Sequence, residues 1–192
     1  MSAPRQLVLD LLQPAAPTFA NFVVGRNAEA VAMLKRLGAT GAERIVYLWG
    51  EPASGRSHLL QALARSGGAH WWRPGDAPEA PGVSIADDVD RLDAEAQVAL
   101  FNRLNAVRAD SGACVAAGPL PPAQLPLRED LRTRLAWGLV YRLRPLADAE
   151  KAEALRAQAA ARGLAIGDEV IAYLLGHLPR DMRTLAAAVD AL

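Results

Sequence analysis

Eight residues, Gly50-Glu51-Pro52-Ala53-Ser54-Gly55-Arg56-Ser57, limit what this chain can fold into more than any other feature. They fit the pattern G-x-x-x-x-G-x-[ST]. They stand between an apolar β-forming run, residues 44–49, and a helical stretch, residues 57–65. A glycine loop in that setting turns backbone N–H groups and the first turn of a helix towards a phosphate. Pro52, Ala53, Ser54, Gly55, Arg56, Ser57 and His58 are therefore candidate phosphate contacts, His58 through its backbone N–H alone. The Ser57 hydroxyl suits Mg²⁺. Arg56 stands where the pattern normally carries lysine. It still neutralises phosphate, but its planar guanidinium is not equivalent to a compact ammonium.

A parallel α/β sheet is the architecture that puts such a loop to use, and the rest of the chain supplies one. Further strands are expected at 69–73, 83–88, 113–117 and 138–143, giving five with the run before the loop. Helices are expected at 27–37, 57–65, from Asp93 as N-cap to about 109, and 127–134. Residues 74–82 hold three prolines and two glycines, which excludes a crossover helix between the second and third strands. After Pro145 only helices are expected: 148–162 with Asp148 as N-cap, 168–178, and a last one opened by Pro179-Arg180-Asp181. The expected domains are a tail over 1–18, a nucleotide-binding core over 19–145 and a small helical subdomain over 146–192.

The third strand ends in Asp87-Asp88, thirty residues after Ser57. Paired carboxylates there suit metal and water: Asp87 with Ser57 for Mg²⁺, Asp88 for orienting an attacking water. The three histidines show no metal-ligand spacing. The single cysteine, Cys114, lies in an apolar strand and reads as a small buried hydrophobe. Trp49, Trp71 and Trp72 read as sheet cover. With 21 basic against 21 acidic residues, a bulk-charge grip on DNA or an anionic membrane is excluded. No apolar run approaches ~18 residues, so no membrane span is expected, and the cytoplasm is the expected location.

At this point the residues resemble the DnaA/Hda family of AAA+ ATPases. Phe19-Ala20-Asn21-Phe22-Val23-Val24-Gly25 looks like the family's entry segment, which implies that Phe22, Val23 and Val24 close over an adenine. Arg132-Thr133-Arg134-Leu135-Ala136-Trp137 resembles the segment carrying an arginine finger, with Arg134 at the finger position and Trp137 anchoring it. Asp181-Met182-Arg183-Thr184-Leu185 resembles the sensor-2 motif of the family's lid, which places Arg183 near the phosphates. Gln6-Leu7-Val8-Leu9-Asp10-Leu11 looks like a motif for the DNA polymerase III sliding clamp (its β subunit), with Gln6, Leu7, Leu9 and Leu11 as contacts. The implied fold is a five-stranded AAA+ sheet flanked by helices, with a short, truncated all-helical lid.

The resemblance implies ADP or ATP with Mg²⁺ as cofactor, and DnaA and the clamp as partners. A second copy of the chain is a further candidate. Direct sequence-specific DNA binding is not implied. The implied function is negative regulation of replication initiation: Arg134 stimulates ATP hydrolysis held in DnaA. Arg56, and the apolar Ala116-Ala117-Gly118 after the fourth strand, imply poor hydrolysis by the chain itself. Phe101 and Asn105, one turn apart on the helix after Asp88, are either core or a partner face. Two alternatives stay open: a stand-alone ATPase of helicase-loader type, and a clamp adaptor with a vestigial pocket.

Overall fold

A computed structural model describes residues 15–39, 43–109 and 112–192. The core unit spans Pro17–Leu146 and the helical unit includes Ala147–Leu192. Among the described residues the core contains five strands: β1 (Ile45–Trp49), β2 (Ala69–Trp71), β3 (Val83–Ala86), β4 (Ala113–Gly118) and β5 (Leu139–Arg142). They form one parallel sheet in the order β2-β3-β4-β1-β5. Four helices accompany them: α1 (Ala28–Arg36), α2 (Arg56–Arg65), α3 (Ala94–Arg108) and α4 (Glu129–Leu135).

Side chains alternate across a strand, so each buried strand feeds two cores. Val46, Leu48, Val83, Ile85, Val115 and Ala117 point to one face, where α1 gives Val31 and Leu34 and α2 gives Leu59, Leu60 and Leu63. Ile45, Tyr47, Ala86, Cys114 and Ala116 point to the other, where α3 gives Leu100, Leu104 and Val107 and α4 gives Leu131 and Leu135. Burying a leucine or valine contributes about 1.5–3 kcal/mol, so these two layers outweigh any surface pairing in the core. The outer strands are the exposed ones: Trp71 on β2 is 43% exposed and Val140 on β5 is 39%. Trp49 and Trp72 cover the second face.

The 74–82 crossover is helix-free, as its prolines require, and Arg103 ties it down. This arginine is fully buried on α3. Its Nε–H donates to Ser84 Oγ (2.8 Å), and its Nη groups donate to the carbonyls of Pro78 (2.7 Å) and Ala113 (3.1 Å). Burial pulls its pKa below the usual arginine value. Five planar donors suit a set of carbonyls that lysine could not match.

The helical unit contains α5 (Asp148–Ala161), α6 (Asp168–His177) and α7 (Met182–Asp190), packed around Leu155, Ile171, Leu174, Leu185 and Val189. Asp148 is the first helical residue of α5 and not its cap. Ala147 holds the cap position, and its N–H donates to Glu150 at 2.7 Å. Glutamate in the third position reaches back to that N–H, so the cap sits one residue earlier than Asp148 suggests. Asp181 caps α7, accepting from the Thr184 N–H at 2.9 Å. No helix among the described residues is long and apolar enough to cross a membrane.

Candidate nucleotide site

The glycine loop follows β1 and opens α2. Its backbone is shaped by two left-handed positions, Ala53 (φ 62°) and Gly55 (φ 95°), and by a bond from the Ser54 N–H to the Glu51 carbonyl at 3.1 Å. Gly50 has no room for a side chain, because a Cβ there would lie 2.5 Å from the Leu143 carbonyl oxygen. At Gly55 a Cβ would come within 2.7 Å of the Phe22 ring. Phe22 therefore lies against the loop. Its ring centre is 5.3 Å from that of His58. The His58 Nε2 pairs with the Thr18 carbonyl at 3.0 Å, which ties the entry segment to α2. The His58 ring thus packs on and hydrogen-bonds the segment before α1. Val23 and Val24 are half-buried in the same segment. It is tied further by Asn27, whose side chain donates to the Arg144 carbonyl (2.9 Å) and accepts from the Arg144 N–H (2.8 Å).

Gly55 holds the N-cap position of α2 and supplies no capping side chain. The first N–H groups of α2 are thus open to an anion, and the helix dipole favours one there. Ser57 Oγ donates to Asp87 Oδ2 at 2.9 Å, so the two expected Mg²⁺ contacts meet across the end of β4. Asp87 Oδ1 also accepts the Asp88 N–H at 2.9 Å. Asp88 adopts a left-handed backbone (φ 47°) and pairs with Arg91 at 3.6 Å, at the start of a 3-10 turn, Val89–Arg91, that sequence reading missed.

Beneath the loop lie polar atoms that no periodicity reveals. Ser54 Oγ, one Nη of Arg56 and one carboxylate oxygen of Asp90 are buried without a hydrogen-bond partner. Tyr47, on the adjoining strand, donates to the Leu120 carbonyl at 2.8 Å. Burial raises its phenol pKa, partly offset by the Arg56 charge. Buried polar atoms normally find partners, so an unsatisfied guanidinium nitrogen beside a phosphate-type loop fits an anion. The loop, the open helix end and the Ser57–Asp87 pair together fit a nucleotide with Mg²⁺. Ala116, Ala117 and Gly118, expected after the fourth strand, are the last residues of β4 itself; Ala116 and Ala117 are buried and present no polar group there.

Arg134 lies outside this loop, on the last turn of α4. Its Nε–H donates to Asn105 Oδ1 at 2.8 Å. Its guanidinium carbon is 3.6 Å from the Trp137 ring centre and 5.0 Å from that of Phe101. Phe101 and Asn105 therefore meet Arg134 within the chain itself. Arg183 is exposed in the first turn of α7. Residues 6–11 lie outside the described residues.

Residues 148–192 match the model of the family described as Hda, lid domain. Residues 148–192 are thus similar to an Hda lid domain, and the core has the fold of the solved DnaA structures. DnaA from Aquifex aeolicus, solved with AMPPCP, is similar at 21% identity with a TM-score of 0.73, over 94% of this chain and 66% of that one. Domain III of Thermotoga maritima DnaA gives 21% and 0.71 over 92% of this chain and 87% of that one. A RuvB variant from Thermotoga maritima gives 17% and 0.64 over 95% of this chain and 65% of that one. The chain thus spans about two thirds of the longer DnaA chain. The matched residues hold α5, α6 and α7, and Asp181 opens α7 with a side-chain cap.

Proposed function

We propose that this chain is a nucleotide-dependent regulator that stimulates ATP hydrolysis in DnaA and so limits replication initiation. One observation carries the reading: residues 148–192 match an Hda lid model, and in the core Arg134 keeps its Nη donors clear of protein partners among the described residues. In this reading ADP or ATP with Mg²⁺ occupies the site lined by Phe22, the 50–58 loop, Asp87 and Asp88. The tail docks on the sliding clamp. Gln6 is the polar anchor and Leu7, Leu9 and Leu11 are the apolar ones, in the manner of an extended peptide in a groove. Several equivalent sites on a ring raise the effective concentration of a weak peptide contact. Arg134 then meets the phosphates held by DnaA. An arginine supplied in trans stabilises charge on the transferred phosphoryl group and contributes ~10³–10⁵ in rate.

The test is a reconstitution of this chain, clamp-loaded DNA and ATP-bound DnaA, with ADP production as readout. Arg134→Ala abolishes stimulation and keeps its thermal shift with ADP. Gln6→Ala combined with Leu9→Ala abolishes stimulation by losing the clamp. Full stimulation by both variants ends the proposal. The Ser57–Asp87 contact favours a second reading, in which the chain hydrolyses ATP itself. The buried Ala116 and Ala117 count against it. Steady turnover by the isolated chain, lost in Asp88→Ala, would establish it.

A further inference from the structure

Arg134 is held by neutral groups on three sides. Asn105 accepts from its Nε–H, Trp137 lies under the guanidinium plane, and Phe101 adds a second ring. The Trp137 ring also carries the Arg108 guanidinium, at 4.2 Å. Phe101, Asn105 and Arg108 are spaced i, i+4, i+7 on α3, so one helix face supplies them all. That face is fixed because Leu100 and Leu104 on α3 and Leu131 and Leu135 on α4 are fully buried in one layer. Among the described residues neither Arg108 nor Arg134 has a carboxylate within ion-pair distance. The nearby acid Asp130 is engaged by Arg128 at 2.7 Å.

We propose that Phe101, Asn105 and Trp137 are positioning residues that fix the pose of the Arg134 guanidinium, at full charge, before the partner's phosphates arrive. The inference rests on the reading of Arg134 as the finger and deepens it. Two constraints define a planar group: the ring sets its plane, and the bond at Nε sets its rotation within that plane. The Nη groups are left for an oxyanion. A free arginine spreads over many rotamers, and only the competent fraction contributes at encounter. Transition-state stabilisation needs the donor within roughly 0.5 Å of its place. The choice of an amide matters. An aspartate at 105 would hold the same Nε–H and neutralise the charge that the phosphates need. A second guanidinium on the same indole raises the local positive potential further.

The test uses the full chain in the same reconstitution and varies its concentration. Asn105→Ala and Trp137→Leu lower the maximal stimulated rate about tenfold or more, with the half-maximal concentration unchanged. Trp137→Phe keeps a ring and recovers most of the rate. Asn105→Asp keeps the hydrogen bond yet loses rate, which a purely structural role would not produce. A second readout needs no partner. In ¹⁵N spectra of the free chain, the Arg134 Nε–H signal is ring-shifted and protected from exchange in wild type, and loses both features in Asn105→Ala and Trp137→Leu. Unchanged maximal rates in these variants overturn the inference, as does a shift confined to the half-maximal concentration, which would mark a partner contact. An unshifted, unprotected wild-type signal also overturns it. A wild-type chain that fails to stimulate, or Arg134→Ala as active as wild type, removes the finger reading and this inference with it, whatever the spectra show.

Discussion

Cys114 illustrates how a strand position decides a side chain's chemistry. It lies in β4, the middle strand of the sheet, and is completely buried. Burial pushes its thiol up from 9.0 to about 12. At pH 8 the native thiolate fraction is then about 10⁻⁴, so a thiol reagent labels the chain only on unfolding. The same shift sets a stability trend. The unfolded thiol ionises near 9.0 and the native one near 12, so its contribution is full below pH 9 and is lost as pH rises through that window. Between pH 8 and 10.5 urea unfolding should show a loss of about 2 kcal/mol that Cys114→Ala lacks. Equal losses in both proteins would contradict this account. The apolar run around Cys114 already marked it as buried and inert. The residues beneath the glycine loop carried no such mark. Arg56, Asp90 and Tyr47 come within electrostatic range only through the fold, from the first turn of α2, a 3-10 turn and β1.

Arg103 shows what helical spacing does and does not disclose about an element. Leu100, Arg103, Leu104 and Val107 share the face of α3 that packs on the sheet, so the pattern puts a charge on the apolar side. Read by residue type alone, an arginine on an amphipathic helix belongs in solvent. Its partners are carbonyls of a proline-rich crossover and of β4, and no local pattern announces carbonyls. β1 was legible as an apolar run of β-forming residues, and the other strands as short, mostly apolar runs bounded by turn residues. The α5 cap was misplaced by one residue because Asp148 is itself a good capping residue, while Glu150 decides the register from three positions on. Arg103→Ala strips donors from Ser84 and from the Pro78 and Ala113 carbonyls, at a cost of about 3–5 kcal/mol in urea unfolding. Arg103→Lys recovers little, because an ammonium cannot span acceptors on β3, β4 and the crossover together. If the lysine variant matched wild type, the charge alone would matter and the fork geometry would not.

The whole chain carries 21 basic and 21 acidic residues, and that balance separates two ways of reaching DNA. A protein that grips duplex directly neutralises several phosphates and shows an affinity that falls steeply with salt, with a log–log slope of about −0.9 per phosphate contact. A neutral chain has little counterion release to draw on. It can still be delivered by a partner that is already topologically linked to the duplex, and then needs only a short peptide contact. The clustered Arg108 and Arg134 do not contradict this, since two guanidiniums on one indole suit a compact polyphosphate better than a helical backbone. Anisotropy with a labelled bare duplex should therefore give a Kd weaker than about 10⁻⁴ M at physiological salt. Loading the sliding clamp on the same duplex should bring the chain onto DNA, and Gln6→Ala with Leu9→Ala should remove it again. Micromolar binding to bare duplex with a steep salt slope would mean that the chain has a DNA surface of its own, and that the tail is not what brings it to its partner.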